Sequence, residues 1–315
     1  MKKHIGRTCL LFPGQGAQYP GMGRDLWETS DTVKELFALG SRAAGIDLEA
    51  LLFEADEEEL KRTENTQVAI TAVNLAVLAV LDERGVAPSV VAGFSLGEFS
   101  ALVAAGVLSP EQVFPLVKER GLIMADVAAK LYNEAGEGPG MAAVMGLSPE
   151  TVESLCAESE LELYAANFNS PDQTVVAGTK DALAKGKEFF SDRGAKRWIP
   201  LKVTGPFHTP LLAEAKEAFA EVVGRCDYRE PKIVLLSNVT GGKVESAPKA
   251  KELSIEQVTS PVRWTDEEAA VVAAGAEVCI EAGPGKVLSG LWKKSGHSIP
   301  CFPAGTVESM ASIFE

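Results

Sequence analysis

The chain has 315 residues, 46% of them hydrophobic, which is enough to bury the core of one large domain or of two ordinary ones. Its formal net charge of −14 disfavours nucleic acid and anionic membranes as partners. The five cysteines lie far apart and form no Cys-x-x-Cys pair, which argues against a disulfide framework and for a cytoplasmic protein with reduced thiols. We expect no membrane span, because no apolar run reaches the required length, and no signal peptide.

The first part of the chain alternates between strand and helix patterns. A short apolar run at residues 8–12 ends at Pro13 and Gly14, and a β-branched run ends at Gly93. The predicted elements are, in chain order, strand 8–12, helices to about residue 44, helix 66–83, a strand ending at residue 93, helix 98–105 and helix 109–129. Strands that alternate with helices in this way indicate a parallel sheet.

The pattern changes after this part, where residues 134–140 are rich in glycine and acidic residues and are typical of a linker. The next predicted elements are strand 141–146, helix 149–158, strand 162–167, turn 169–172, strand 173–178, helix 180–193 and strand 195–203. This β-α-β-β-α-β order is the ferredoxin-like arrangement. The earlier pattern resumes after residues 204–206, with strands at 233–237 and 277–281.

These patterns predict an α/β protein of two parts. A large α/β-hydrolase-like catalytic domain with a mostly parallel sheet is expected over residues 1–138 and 205–315. A small ferredoxin-like subdomain is expected to be inserted at residues 139–204. Because ligand clefts form preferentially where domains meet, the junction is the expected place for a site.

A candidate nucleophile stands between the predicted strand and helix around residue 95. Residues 93–97 read Gly-Phe-Ser-Leu-Gly, the Gly-x-Ser-x-Gly pattern in the strand–turn–helix context that holds a serine out as a nucleophile. The helix that follows points its first N–H groups at any oxyanion that forms there. On this pattern alone, an ordinary glycine-bounded turn remains an alternative.

A serine hydroxyl needs a base, and histidine suits neutral pH best. The chain has three histidines. His4 lies near the N-terminus, His297 lies in a polar loop near the other end, and His208 lies in a stiff loop at the predicted domain junction. If Ser95 is a nucleophile, elimination favours His208 as its base. More than a hundred residues follow His208, whereas an ordinary α/β-hydrolase carries a late histidine.

Several ordered sequence blocks carry a resemblance to a known family. They are residues 12–18 (Phe-Pro-Gly-Gln-Gly-Ala-Gln), 93–98 (Gly-Phe-Ser-Leu-Gly-Glu), 167–171 (Asn-Phe-Asn-Ser-Pro), 205–208 (Gly-Pro-Phe-His), 261–265 (Pro-Val-Arg-Trp-Thr) and 281–288 (Glu-Ala-Gly-Pro-Gly-Lys-Val-Leu). Over nearly its whole length, the chain resembles the malonyl-CoA:acyl carrier protein transacylases of fatty acid synthesis and the related acyltransferase domains of polyketide synthases.

The resemblance implies a mechanism with two half-reactions and no metal or cofactor. Ser95 would take a malonyl group from malonyl-CoA, a coenzyme A thioester, and pass it to the phosphopantetheine thiol of an acyl carrier protein. His208 would be base and acid, oriented by the backbone carbonyl near Gln257. A helix-end surface amide remains the other interpretation of Gln257.

The resemblance also implies how the substrate is held. The oxyanion would be bound by the backbone N–H groups of Gln15 and Leu96. Arg120 would grip the malonyl carboxylate through paired hydrogen bonds. A solvated helix charge is the alternative for Arg120.

Other positions near these residues either have more than one interpretation or are compared with the residue that the family carries there. Phe94 precedes the nucleophile where the family usually has histidine, so the local hydrogen bonding must differ. Phe207 resembles the malonyl-type enzymes, because its ring would crowd an α-methyl branch. Glu98 either holds Arg120 or favours the helix dipole. Asn167 either lines the pocket mouth or caps a turn.

The net charge conflicts with an acidic carrier protein as partner, so docking would need a local basic patch. The candidates are Lys196, Arg197, Lys202, Lys286, Lys293 and Lys294, for which scattered solvated charges are the alternative. We expect a monomer. Three other functions remain open, namely a serine thioesterase or hydrolase, a polyketide-pathway acyltransferase, and a catalytically silent carrier-binding protein.

Overall fold

Nine strands form two sheets in the computed structural model, which describes residues 6–132, 137–203 and 205–314. The strands are β1 Thr8–Phe12, β2 Pro88–Gly93, β3 Gly140–Met145, β4 Leu163–Ser170, β5 Gln173–Gly178, β6 Arg197–Pro200, β7 Val234–Leu235, β8 Val278–Glu281 and β9 Cys301–Pro303. His4, part of the predicted linker and Thr204 lie outside the described residues.

Fourteen α-helices are described in the same parts of the chain. They are α1 Arg24–Thr29, α2 Asp31–Ala44, α3 Leu48–Phe53, α4 Glu57–Lys61, α5 Thr63–Glu83, α6 Gly97–Ala104, α7 Pro110–Lys130, α8 Pro149–Glu158, α9 Lys180–Ser191, α10 Ala213–Gly224, α11 Ala247–Glu256, α12 Trp264–Ala273, α13 Val287–Ser295 and α14 Val307–Phe314.

The larger sheet has the strand order β7-β2-β1-β8-β9, and all its pairings are parallel. Its central strand β1 is buried along its whole length. Because successive side chains of a strand point to opposite faces, Leu10 and Phe12 join a core with α5 and α7, whereas Cys9 and Leu11 join a second core with Trp264 and Trp292. Helices cover both faces of the sheet. The parallel pairing is the one that the alternating pattern predicted.

The smaller sheet is antiparallel, with the order β4-β5-β3-β6. Helices α8 and α9 complete the β-α-β-β-α-β sequence and pack on it around Val152 and Phe190. The predicted fold class is therefore confirmed, with one parallel and one antiparallel sheet. All four strands lie between Gly140 and Pro200.

Three local predictions need correction, and one strand was missed. The predicted turn at 169–172 is shorter, because Asn169 and Ser170 continue β4. Strand β6 covers only part of the predicted 195–203, and β7 covers two residues of the predicted 233–237. The sequence pattern did not predict β9, which has three residues.

Helix α5 is an exception to the expectation that no apolar run is long enough to span a membrane. With 21 residues, it is long and apolar enough by composition to cross a membrane. However, 78% of its most apolar stretch is buried inside the protein. Its apolar residues surround it on all sides because it lies in the core, which is where helices of this kind occur in globular proteins.

The two sheets meet through β4. Phe168 donates its backbone N–H to the carbonyl of Val262 (2.9 Å), and Val262 donates to the carbonyl of Ala166 (2.9 Å). Val262 shortly precedes α12, which packs against the larger sheet. This pairing brings the end of β4 close to the carboxyl end of the parallel strands, where ligands bind in open α/β sheets.

Candidate active site

Ser95 lies in a tight turn between β2 and α6. Its φ of 51° is in the left-handed region, which is costly for a residue with a side chain. The flanking glycines permit this turn, since a Cβ on Gly93 would lie 2.1 Å from the carbonyl carbon of Gly97. A Cβ on Gly97 would lie 1.9 Å from the carbonyl oxygen of Phe12. This geometry is that of a nucleophile elbow.

The structure brings His208 to Ser95 across 113 residues of sequence. The Oγ atom of Ser95 lies 2.7 Å from Nε2 of His208. His208 has a φ of 62°, and these two are the non-glycine residues with positive φ among those described. Such strained conformations cluster at functional sites, where the surrounding structure holds them.

The other ring nitrogen of His208 fixes its tautomer. Nδ1 lies 2.9 Å from the backbone carbonyl of Gln257, which can only accept a hydrogen bond. Nδ1 therefore carries the proton, and Nε2 is free to accept the proton of Ser95. Burial lowers the pKa of His208 to about 4, helped by the charge of Arg120 and opposed by the bonds to the backbone of Gln257 and Ser260. The imidazole is thus neutral at neutral pH.

Gln257 is buried, which excludes the surface-amide interpretation. Its side chain also bonds to the residues around the serine. The Oε1 atom accepts from Nη2 of Arg120 (2.9 Å), and Nε2 donates to Glu98 (2.8 Å) and to the carbonyl of Ser95 (3.1 Å). Gln257 therefore joins the histidine, the arginine and the elbow.

Arg120, on α7, is only 1% exposed, so it is no solvated helix charge. Nη1 donates to Gln67 (2.9 Å), and the guanidinium lies 5.2 Å from the ring centre of Phe99. Its buried Nε has no hydrogen-bond partner among the described residues. Burial lowers the pKa of Arg120 to about 10, opposed by the nearby Glu98, so it remains charged at neutral pH. A buried, incompletely paired cation can bind a ligand carboxylate.

Glu98 lies in the first turn of α6, as the helix-dipole interpretation requires, and its hydrogen-bonded link to Arg120 runs through Gln257. Its Oε2 accepts from the backbone N–H of Asn238 (2.9 Å) and from Gln257 (2.8 Å), and it reaches Arg120 through Gln257. Burial raises the pKa of Glu98 to about 7, against the effect of these hydrogen bonds and of Arg120. Glu98 therefore anchors the loop at residue 238 to the helix that follows the serine.

The backbone N–H groups of Gln15 and Leu96 remain without a protein acceptor in the described parts of the chain. The glycine before Gln15 lets its loop approach the elbow, because a Cβ on Gly14 would lie 2.3 Å from the carbonyl oxygen of Phe94. Both residues line the same pocket as Ser95. Two free N–H donors beside a nucleophile can stabilise an oxyanion.

The pocket has a volume of about 250 Å³ and lies between the elbow and the smaller sheet. Its lining includes the predicted site residues Gln15, Ser95, Leu96, Arg120, Phe207 and His208. Met124, Met141 and Leu201 supply apolar walls. Asn167 also lines it and belongs to β4, so it does not cap a turn. A short acyl group with a terminal carboxylate matches this mixture of apolar walls and one buried cation.

Phe94 packs against Trp264, with ring centres 5.5 Å apart and planes tilted by 59°. Trp264 is buried and donates from Nε1 to Glu268 (2.9 Å). The side chain before the nucleophile is therefore held by aromatic packing, which is worth about 0.5–1.5 kcal/mol beyond area burial. This packing gives a physical role to the position at which the elbow departs from the family pattern.

Two buried polar residues at the site were missed from the sequence. Gln67 stands inside the apolar helix α5 and bonds to Arg120. Asn238 follows β7 and bonds to the elbow. A polar residue in an otherwise apolar helix and an asparagine just past a buried strand are the signals that could have found them.

The candidate basic residues differ in their distance from the pocket. Lys294 donates to Gln173 (3.2 Å), which lines the pocket, and Lys293 lies beside it at the end of α13. Lys202 is exposed between two pocket residues. Arg197 lies on β6, an edge strand of the smaller sheet. Among the described residues, no group of three or more His, Cys, Asp or Glu is placed to hold a metal ion.

Comparisons with known proteins agree with this geometry. The acyl transferase domain family matches residues 9–313. A malonyl CoA-acyl carrier protein transacylase of Bacillus subtilis (strain 168) is 40% identical over 309 residues, which cover 97% of this chain and 96% of the relative.

Two solved structures have nearly the same fold. An acyl carrier protein S-malonyltransferase from Vibrio cholerae has a TM-score of 0.92 at 37% identity, covering 98% of this chain and all of its own. A malonyl-transacylase in complex with its type II PKS acyl-carrier protein has a TM-score of 0.91 at 35% identity, covering 98% and 99%. The chain therefore belongs to the acyl transferase family, among the malonyl CoA-acyl carrier protein transacylases.

Proposed function

We propose that this chain transfers a malonyl group from malonyl-CoA, through an ester on Ser95, to the phosphopantetheine thiol of an acyl carrier protein in fatty acid synthesis. The observation that carries the proposal is the 2.7 Å contact between Ser95 Oγ and His208 Nε2 in a pocket that also contains the buried Arg120. The names of the relatives support malonyl-CoA and the carrier protein as substrates.

The first half-reaction begins with proton transfer from Ser95 to Nε2 of His208, as Oγ attacks the thioester carbonyl. The carbonyl oxygen becomes an oxyanion, and the N–H groups of Gln15 and Leu96 bind it. When the tetrahedral intermediate collapses, the carbon–sulfur bond breaks, and the coenzyme A thiolate takes the proton from His208. In the second half-reaction the carrier thiol gives its proton to His208 and attacks the seryl ester. The carbon–Oγ bond then breaks, and Oγ of Ser95 takes the proton back from His208.

Arg120 and Phe207 set the choice of acyl group. The guanidinium binds the malonyl carboxylate, and the pocket's apolar walls strengthen this pair by keeping it partly out of water. Phe207, 8% exposed on the lining, crowds an α-methyl branch and disfavours methylmalonyl-CoA. Gln257 orients His208 through its carbonyl and Arg120 through its amide.

The enzyme acts in the cytoplasm as a monomer, without a metal or redox cofactor, and binds neither nucleic acid nor membrane. Residues 139–204 form an inserted subdomain between the two parts of the catalytic domain, 1–138 and 205–315. The pairing of β4 with Val262 supports a substrate site at their junction.

The competing function is a serine thioesterase or hydrolase that gives the malonyl group to water. Incubation with malonyl-CoA alone separates the two. The transferase releases one equivalent of coenzyme A per chain and stops as the acyl-enzyme until carrier protein is added. Continuous release of coenzyme A without carrier would contradict the proposal.

The pH dependence of acylation is expected to follow the low pKa of His208. The kcat/KM for acylation, which reports the free enzyme, should stay nearly constant from neutral pH to about pH 5, and fall as pH drops through about 4, because protonated His208 cannot accept the serine proton. Rapid-quench measurement of ester formation tests this. Glu98→Gln serves as control. Any inflection near neutral pH that comes from Glu98, whose pKa is raised to about 7, should vanish in this variant, whereas the inflection near pH 4 should stay. An acidic limb centred near the ordinary histidine value of about 6.5 would argue against this assignment.

The basic residues near the pocket are expected to serve the carrier protein alone. Reversing the charge of Lys293 and Lys294 should raise the KM for carrier protein, because the partner is acidic and its approach is steered by charge. Malonyl-CoA loading should be unchanged. The same reversal at Lys196 and Arg197 tests the second part of the predicted patch. Equal effects on both half-reactions would show that these lysines and arginine do not form a carrier-specific surface.

A further inference from the structure

The strained conformation of Ser95 needs something to hold it. A φ of 51° is disfavoured for serine, and such a conformation persists only where the surroundings fix it. The glycines on either side only permit the turn. Two side chains bond to the backbone of Ser95: Gln257 donates to its carbonyl at 3.1 Å, and Asn238, which is 143 residues away in sequence, accepts its N–H at 2.7 Å.

Asn238 clamps the two peptide groups on either side of Phe94. Its Oδ1 accepts the backbone N–H of Ser95 at 2.7 Å, and its Nδ2 donates to the carbonyl of Gly93 at 2.6 Å. Because an N–H can only donate and a carbonyl can only accept, these two partners fix the orientation of the amide. An asparagine is the short side chain that offers both functions at once.

Asn238 is itself held at every polar group. Its backbone N–H donates to Glu98 (2.9 Å), and its carbonyl accepts from the backbone of Arg263 (2.9 Å). Its Nδ2 also donates to Glu267 (2.5 Å), a fully buried residue. Burial, with the nearby Glu98, raises the pKa of Glu267 well above its usual value. The clamp therefore belongs to a rigid network.

The clamp also determines which N–H groups face the substrate. The N–H of Ser95 is occupied by Asn238, whereas those of Gln15 and Leu96 have no acceptor in the described parts of the chain. If the amide were absent, the N–H of Ser95 would lose its partner and the elbow could relax. A relaxed elbow would move Oγ away from Nε2 of His208, at present 2.7 Å away.

We propose that Asn238 is a positioning residue for the acylation step, which holds Ser95 in its attacking conformation without contacting the substrate. This proposal rests on the proposed role of Ser95 as the nucleophile. It assigns to Asn238 an effect on the rate of ester formation and none on the binding of malonyl-CoA.

Rapid-quench kinetics of Asn238→Ala with malonyl-CoA tests the proposal. We expect the acylation rate at saturation to fall about 100-fold, as displacements of about 1 Å at a reacting atom can cause. The KM for malonyl-CoA should stay close to the wild-type value, and the final yield should remain one ester per chain. An acylation rate close to that of the wild type, or an effect confined to a higher KM for malonyl-CoA, would overturn the proposal.

Two further variants separate a positioning effect from a loss of stability. Leu48→Ala removes a buried side chain of α3, away from the elbow. It is compared with Asn238→Ala under conditions in which the two variants resist unfolding equally, and it should acylate at the wild-type rate. If it is slowed as much as Asn238→Ala, the effect is one of stability and the proposal fails. Should Asn238→Ala not fold, Asn238→Asp keeps the volume but loses Nδ2, and its rate must fall at unchanged KM. If the wild type forms no ester on Ser95, the proposed function fails first.

Discussion

Replacing His208 by alanine is expected to slow the malonylation of Ser95 about ten-thousandfold. The serine would then lose the base that lies within hydrogen-bond distance of its hydroxyl. The geometry gives His208 direct access to that proton, since its Nε2 lies 2.7 Å from Oγ and its other nitrogen is bound to the carbonyl of Gln257. Single-turnover ester formation, followed by mass spectrometry, measures the loss.

His297→Ala is the matched control for this variant. His297 packs on Trp292 of α13, with ring centres 4.4 Å apart, and its Nε2 lies 3.3 Å from Glu268 of α12, so it reaches the elbow only indirectly, through Glu268 and Trp264. It should acylate at the wild-type rate. A loss of less than tenfold in His208→Ala would mean that another group accepts the serine proton, and the proposed mechanism would be wrong.

Replacing Arg120 by alanine is expected to lower malonyl loading by a factor of about 100 to 1,000. Two charge-assisted hydrogen bonds to a carboxylate contribute about 3–4 kcal/mol together when they are shielded from water. Malonyl loading by Arg120→Lys should lie between that of the wild type and that of Arg120→Ala, because an ammonium keeps the charge and loses the paired geometry. The measurement is kcat/KM for loading from malonyl-CoA.

Acetyl-CoA provides the control within the same variants. Arg120 also bonds to Gln67 and Gln257, so its removal can disturb the orientation of His208. Such a disturbance would slow acetyl and malonyl loading alike, since both need the same serine and histidine. We expect acetyl loading to change by less than about tenfold. Equal losses with both thioesters would contradict the assignment of Arg120 to the substrate carboxylate.

The sequence was most informative where the signal is local. The apolar run of β1 and the glycines around Ser95 are strong local signals. Strand β1 and the strand–turn–helix around Ser95 both lie where they were predicted. The small number of histidines then singled out His208. The family resemblance singled out Arg120 and Gln257, which the structure places beside these residues.

The sequence was least informative where distant segments decide the structure. Asn238 bonds to Ser95 from 143 residues away, and its position just past a buried strand does not tell which residue it bonds to. Strand β4 extends through Ser170 because Ser170 pairs with Gln173. Asn167, in the same strand, also pairs with Val262. Likewise, Glu98 lies in the predicted helix, but only the fold shows that it is buried against Asn238 and Gln257.

Intact-mass measurement after incubation with malonyl-CoA shows whether Ser95 carries the acyl group between the two half-reactions. The proposed function predicts one malonyl adduct per chain, located on Ser95 by peptide mapping, absent in Ser95→Ala and removed when phosphopantetheinylated acyl carrier protein is added. An adduct that persists in Ser95→Ala, or a wild-type protein that releases malonate without forming an adduct, would contradict it.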